Sequence, residues 1–341
     1  MTRMSATPPL RWGILGTGQI AKKFVADLAF LPEGEVVAVG SRSADTGQEF
    51  ARQFGIARSY DSYEALVADP DVEAVYVATP HPWHRDHALL AIAAGKALLI
   101  EKPFTLNASQ AQEIVDAARV AGTFVMEAMW SRFLPHMVRL RQLLADGAIG
   151  DVRNVTVEHS IGFGVSAGHR ILDLGVGGGA LLDLGIYTVS FASMILGEPT
   201  SVTAVSNLGP TGVDSQTALV LTHTGGRLST LLTSLEATGA NRAAVMGTGG
   251  RIELDPSFNL AGGLTLVSRQ PDSVKVFRDG EVSRYDEPHE GDGLRHQAGE
   301  VARCVRAGLT ESPILPLAET VSILRTTDEA RRQIGLRYPT E

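Results

Sequence analysis

The sequence predicts an α/β chain: a doubly wound parallel sheet, followed by an α+β domain built on a large, mainly antiparallel open sheet. Three observations predict it. Short runs that are apolar on both faces alternate with helical segments up to about residue 127, as in a parallel sheet covered by helices on both sides. A glycine-rich turn directly follows the first of these runs. Beyond residue 200, strand-like runs follow one another with turn signals and no helices between them. The 341 residues suffice for two domains at roughly 150 residues each, and we expect them at 1–127 and 128–341.

The elements follow in order. Residues 11–16 form an apolar run ending in glycine, and a helix is expected over 19–31, stopped by Pro32-Glu33-Gly34. A strand over 35–39 leads to a helix over 45–54, and 61–67 reads as helical with Asp61 as N-cap. Strands at 74–78, 97–100 and 123–126 are separated by helices at 84–94, stopped by Gly95, and 107–120, capped by Asn107. The second half opens with a helix over 134–144 and an alternating strand over 152–159. The Gly-rich segment 175–179 precedes a long apolar helix over 180–196. Strands are expected at 217–222, 228–235, 243–246 and 251–254, with hairpin turns at Gly225-Gly226 and Gly249-Gly250. Helices over 293–306 and 317–334 close the chain.

Composition excludes several function classes. Lys and Arg number 30 against 38 Asp and Glu, a formal net charge of −8. Nucleic-acid binders more often carry a basic excess or patch, and neither is present; Arg331 and Arg332 read as a solvated helix face. The single cysteine, Cys304, permits no intrachain disulfide and fits a reducing compartment. The N-terminus lacks the apolar core of a signal peptide. The 180–196 run carries Asp183, Gly185 and Tyr187, so a buried helix suits it better than a membrane span. A cytoplasmic, soluble protein is expected.

Gly16-Thr17-Gly18-Gln19-Ile20-Ala21 matches G-x-G-x-x-A between a strand and a helix, the context of the Rossmann dinucleotide fingerprint. The first glycine allows the tight turn, the second lets a pyrophosphate approach, and the helix N-terminus offers it unpaired N–H groups. The tip of the second strand selects the cofactor. An NAD site usually carries Asp or Glu there, bonded to the ribose 2′-OH. Here stand Gly40-Ser41-Arg42-Ser43, and Ser41 and Arg42 suit a 2′-phosphate. NADP(H) is therefore expected over NAD(H), with NAD(H) still possible.

Glu101-Lys102-Pro103 follows a buried strand, which sets Lys102 at the carboxyl edge where open α/β sheets bind ligands. Asp183 and Tyr187, four apart on a helix, share one face. A carboxylate and a phenol in so apolar a helix need hydrogen bonds; a purely structural Asp–Tyr pair would also answer that need. Gly16-Thr17-Gly18, Thr79-Pro80 with His84, Glu101-Lys102-Pro103 and Gly178-Gly179-Ala180-Leu181-Leu182-Asp183-Leu184-Gly185-Ile186-Tyr187 together resemble the glucose-fructose oxidoreductase, inositol dehydrogenase and rhizopine-catabolism (Gfo/Idh/MocA) family. The resemblance covers nearly the whole chain. His81-Pro82-Trp83-His84 and Met126-Glu127-Ala128-Met129-Trp130-Ser131-Arg132-Phe133 bring it nearest to the dimeric dihydrodiol dehydrogenase and NADP-dependent D-xylose 1-dehydrogenase branch. Many relatives carry histidine where this chain has Tyr187.

The resemblance implies hydride transfer at a carbinol carbon, with Tyr187 exchanging the hydroxyl proton. A free tyrosine has a pKa of ~10. Lys102 would lower it as a nearby cation, or would itself hydrogen-bond the reacting oxygen; which of the two is the direct acid/base stays open. Asp183 would orient the substrate or the lysine. The Lys102–Pro103 peptide is expected to be cis, as in similar proteins. Thr79, Pro80, His84 and Glu101 would line the cofactor with Gly16, Thr17, Gly18, Gln19 and Ile20, and His81 would face the substrate beside the nicotinamide.

The remaining signals are weaker. His81, His84 and His87 are spaced by three but lack a carboxylate or cysteine partner at ligand spacing, so no metal is expected; His87 reads as structural. Trp130 and Phe163 are either a wall over a sugar or ring diol, or core. Arg132 and Arg170 either touch substrate or cofactor phosphate, or form ion pairs. Three functions compete: an NADP(H)-dependent dehydrogenase of a sugar or cyclic vicinal diol, a keto-sugar or dicarbonyl reductase, and a non-catalytic NADP-binding regulator, since the galactose-pathway repressor of yeasts is similar in fold. Retention of Lys102, Asp183 and Tyr187 argues against the regulator. The family's open sheet is normally covered by a second subunit, so a homodimer or a tetramer is expected, with a small-molecule partner and neither nucleic acid nor membrane.

Overall fold

A computed structural model describes residues 8–166, 168–269 and 279–341. It divides into two compact units, 1–105 with 109–130 and 291–321, and 106–108 with 131–290 and 322–341.

The first unit is built on a six-stranded parallel sheet in the order β3-β2-β1-β4-β5-β6. The strands are β1 (Leu10–Leu15), β2 (Gly34–Gly40), β3 (Arg58–Tyr60), β4 (Ala74–Val77), β5 (Ala97–Glu101) and β6 (Val125–Ala128). The connecting helices are α1 (Gln19–Leu28), α2 (Ala44–Phe54), α3 (Tyr63–Ala68), α4 (His84–Ala93) and α5 (Ala108–Ala121). Both faces of the central strands are buried, as the unbroken apolar runs require: all of β4 and β5 is enclosed. Trp12 meets the edge of Phe24, and Phe24 stacks on Tyr76 at 3.9 Å between ring centres.

The structure departs from the sequence expectation in details with physical causes. β3 was not expected; it is three half-buried residues, Arg-Ser-Tyr, with no apolar run. α3 is capped by the Ser62 hydroxyl, which accepts from the Ala65 N–H, rather than by Asp61. α1 ends at Leu28, three residues before the expected end.

The boundary expected at 127/128 falls inside β6, one residue before its end at Ala128, and the first unit also takes residues 291–321. Asp27, buried at the end of α1, explains why. Its carboxylate accepts from the backbone N–H groups of Asp292 at 3.1 Å and Arg295 at 2.7 Å. It thereby caps α8 (Arg295–Arg306).

The second unit contains an eight-stranded sheet in the order β14-β13-β12-β11-β7-β10-β9-β8. Its strands are β7 (Val152–Ser160), β8 (Pro199–Leu208), β9 (Asp214–His223), β10 (Arg227–Ser234), β11 (Ala243–Gly247), β12 (Gly250–Leu254), β13 (Gly263–Arg269) and β14 (Asp279–Asp286). Every pairing is antiparallel except β7 with β10. Its helices are α6 (Pro135–Ala145), α7 (Ile186–Leu196) and α9 (Leu317–Ile334), the last beginning within the first unit. Inward residues such as Val155, Val157, Leu219, Leu231 and Val245 are buried. The outer face leaves Val205 69%, Val220 46%, Leu228 42% and Leu232 44% exposed.

The stretch 174–196 holds an 18-residue window apolar enough to cross a membrane by composition, but 89% of that window is buried inside the fold, so it is the core helix the sequence indicated. It is not one α-helix, however. Leu181–Gly185 is a π-helix that passes into α7 at Ile186. Arg331 departs from the solvated face expected of it: it is buried, with Asp328 at 2.6 Å and Glu341 at 2.5 Å.

Candidate functional site

Each unit carries its own constellation. In the first, the turn after β1 fits a dinucleotide. Gly16 has φ +104°, and a Cβ there would lie 3.0 Å from the Ala78 carbonyl oxygen, so only glycine suits the position. A Cβ at Gly18 would meet nothing within 4 Å: the space above the turn is open. α1 begins at Gln19 with no side-chain cap and no acidic residue in its first turn. Its first N–H groups, from Gln19, Ile20 and Ala21, are thus left to an anion with the positive end of the helix dipole behind them. Thr17 lies between the glycines. These residues suit a pyrophosphate without adjustment.

At the end of β2, Ser41 is buried and its hydroxyl accepts from the Ser43 N–H, while Ser43 caps α2 through the Thr46 N–H. Arg42 is exposed, and its guanidinium lies over the Trp83 ring. No acid stands at this tip, as the sequence showed.

The end of β5 is pinned from several sides. Glu101 is buried and accepts from the Tyr76 hydroxyl and, at 3.1 Å, from the Lys102 N–H. The Lys102–Pro103 peptide is cis, as expected. His84 is fully buried, with Nε2 2.7 Å from the Thr79 carbonyl and Nδ1 3.0 Å from that of Pro103. The Phe104 N–H donates to Glu127. Lys102, half-buried, therefore stands on a segment held by three side chains from three elements.

This corrects the reading of His84 as a residue lining the cofactor. Its ring is enclosed and both nitrogens face backbone carbonyls, so it braces Thr79 against Pro103 rather than touching a ligand. Burial holds its pKa below the ordinary value. Thr79 is buried with its hydroxyl 2.9 Å from His87 Nδ1, and Pro80 is exposed at the start of a 3-10 turn. His81 is buried edge-on to His84. Among the described residues no group of three His, Cys, Asp or Glu could hold a metal.

In the second unit the Gly178-Gly179 turn packs against its own surroundings. A Cβ at Gly178 would meet the Ile171 carbonyl oxygen at 2.6 Å; one at Gly179, where φ is +122°, would meet Asp214 Oδ1 at 2.2 Å. Asp214 is wholly buried, and its Oδ2 accepts from the Leu181 N–H and the Thr217 hydroxyl, both at 2.7 Å. Burial pushes its carboxyl up to about 7 against the pull of those two bonds. The Tyr338 hydroxyl donates to the Gly178 carbonyl at 3.0 Å.

The π-helix that follows is fixed by side chains from two strands and from α7 itself. Thr233 donates to the Ala180 carbonyl, Thr188 to that of Gly185, and His159 Nδ1 lies 3.3 Å from that of Leu184. π-turns inside α-helices are frequent at functional sites. On this one stand Asp183, 5% exposed, and, at its junction with α7, Tyr187, 7% exposed. Arg170 reaches Asp183 at 3.4 Å from a mostly solvated position, and His159 meets the edge of the Tyr187 ring at 5.3 Å.

Arg132 is buried and donates to the Ser190 hydroxyl at 2.9 Å and carbonyl at 2.7 Å, which clamps α7. Arg170 takes the ion-pair reading, with Asp183 as partner. Phe163 is 36% exposed in the second unit, and Trp130 is half-buried in the first. Sequence reasoning gave no role to His159, Asp214 or Trp83. His159 lies in an alternating strand and reads as core; Asp214 opens a strand and carries no motif.

Comparison with known proteins agrees with this geometry. A model of an oxidoreductase family with an NAD-binding Rossmann fold (GFO_IDH_MocA) matches residues 10–129, and one of the GFO/IDH/MocA C-terminal domain matches 137–253. The chain is 40% identical to a trans-1,2-dihydrobenzene-1,2-diol dehydrogenase of Mus musculus, across 97% of this chain and 98% of that one. It is 38% identical to the protein of that name from Xenopus tropicalis, across 96% and 99%. Among solved structures it resembles a 3-ketoreductase from Actinomadura kijaniata in complex with NADP and TDP-benzene (TM-score 0.83, 26% identity, 96% of this chain and 98% of that one). It also resembles an aldose-aldose oxidoreductase from Caulobacter crescentus complexed with glycerol (TM-score 0.84, 25% identity, 95% and 97%).

Proposed function

This chain belongs to the Gfo/Idh/MocA oxidoreductase family, and from that premise we propose an NADP(H)-dependent dehydrogenase of a sugar or cyclic vicinal diol. The observation that carries the proposal is the buried phenol of Tyr187, at the start of α7, one turn from the buried carboxylate of Asp183 on the π-turn that precedes it. A carboxylate and a phenol are rare inside so apolar a helix, and here both stand on one face with Arg170 paired to the carboxylate. NADP+ supplies a hydride acceptor. The glycine turn and the α1 N-terminus would hold its pyrophosphate, and Ser41 and Arg42 its 2′-phosphate.

The chain's own residues handle the proton. As hydride leaves the carbinol carbon, the hydroxyl proton passes to Tyr187, and the oxygen becomes a carbonyl. Lys102 stabilises the phenolate form of Tyr187 or hydrogen-bonds the reacting oxygen; Asp183, tethered by Arg170, orients the substrate hydroxyls. The Actinomadura kijaniata ketoreductase has been solved with a tyrosine replaced by phenylalanine and with a lysine replaced by alanine, which supports attention to these two residue types. The reverse reaction, reduction of a keto sugar or dicarbonyl, is a second reading favoured by that neighbour's description as a 3-ketoreductase. The exposed apolar face of β8, β9 and β10 supports a homodimer or a tetramer built on that face.

The test is NADP+ reduction with D-xylose, D-glucose and a trans-cyclic diol in parallel, against NAD+. Saturable turnover of one of them with NADP+ is expected. Tyr187→Phe should lower kcat by about 10²–10⁴-fold with cofactor affinity unchanged. NADPH binding without turnover of any alcohol or carbonyl would instead support the regulator.

A further inference from the structure

Arg42 follows β2, and Trp83 ends the 3-10 turn His81–Trp83 after β4. These strands flank β1, so the two side chains come from loops on either side of the glycine turn. The guanidinium carbon of Arg42 lies 5.9 Å from the centre of the Trp83 ring, within cation–π range. Tyr63, at the start of α3, has its phenol pKa raised by burial against an opposing pull from the nearby Arg42 charge, and its ring meets His87 edge-on at 4.6 Å.

Three features give this cluster a purpose. Among the described residues no carboxylate pairs with Arg42, so its charge stays available. A guanidinium set over one ring still has N–H groups directed away from that ring, and these are donors for a phosphate. His87 is pushed down to about 4 by burial, so it adds no second cation near neutral pH.

We propose that Trp83 is a specificity-determining residue for the cofactor: its indole holds the Arg42 guanidinium so that the N–H fork meets the 2′-phosphate of NADP(H). This rests on the NADP(H) reading above. An unsupported arginine at a strand tip spends much of its time elsewhere in solvent, and binding must then fix its rotamers at an entropic cost. Trp83 lowers that cost only for a ligand carrying the 2′-phosphate.

The test uses the whole chain and two fragments of the cofactor, 2′,5′-ADP and 5′-AMP, titrated by calorimetry. Trp83→Leu is expected to weaken 2′,5′-ADP about three- to tenfold and to leave 5′-AMP within about twofold; Trp83→Phe should recover part of the loss, because a phenyl ring is also a cation–π acceptor. Equal weakening of both fragments would make Trp83 part of the adenosine pocket and overturn the proposal. A loss with Arg42→Ala but none with Trp83→Leu would overturn it while leaving the NADP(H) reading standing. Equal affinity of the unaltered chain for both fragments would overturn that reading, and the proposal with it.

Discussion

The two glycine turns of this molecule look alike in sequence and do opposite things. Gly16 to Gly18 and Gly178 to Gly179 each precede a helix. At the first, the helix begins uncapped and a side chain at Gly18 would stand in open space. At the second, the leading N–H is taken by Asp214, and a side chain at Gly179 would collide with that carboxylate. One turn is glycine-rich to leave room for a ligand, the other to let the protein close on itself. The difference lies in what the rest of the chain brings to the helix N-terminus, and a local motif does not contain it.

Alanine at each turn would break or confirm the comparison. Gly179→Ala should destabilise the fold by about 3 kcal/mol, from the positive φ and the collision together, read as a lower midpoint in denaturant. Gly18→Ala should leave that midpoint within about 0.5 kcal/mol and weaken NADP(H) about tenfold or more in a fluorescence titration. Similar stability losses for the two variants would erase the distinction.

A smaller effect sharpens it. Asp214 titrates near 7 in the folded chain against an ordinary 3.8. Below about 4 both states hold its proton. As pH rises from about 4 to 7 the unfolded chain loses the proton first, so this group's contribution lowers stability over that window, then levels off. Asp214→Asn removes the slope. Thermal melts at several pH values should show its Tm gaining on the natural chain between about pH 4 and 7 and running parallel above. A difference that stays constant with pH would show that Asp214 does not titrate in that range.

How much of this was legible follows the same division. The first sheet was readable because its strands are enclosed on both faces, and β4 and β5 are apolar throughout. The π-turn was not: Leu181–Gly185 has the hydropathy of any buried helix, and what holds it open is Thr233, Thr188 and His159, two of them on distant strands. His84 sits in a motif at a ligand-binding edge, and only the positions of two carbonyls show that its ring faces inward. The bonds of Arg132 to Ser190 on α7 were hidden for the same reason. Lys102, Asp183 and Tyr187 were found because charge or a phenol beside apolar sequence stands out wherever the side chain points.

The reach of Asp27 has a consequence for how the protein is made. Its carboxylate closes the first unit onto residues 292 and 295, after the chain has left that unit at residue 130 and traversed about 160 residues of the second. At ribosomal speeds of roughly 5–20 residues per second, the nascent amino-terminal sheet waits about 10–30 seconds for its last helix. During that interval an apolar flank of the sheet and a carboxylate destined for burial both lie open to water and to chaperones. Shortening the protein at residue 130 would make the wait permanent.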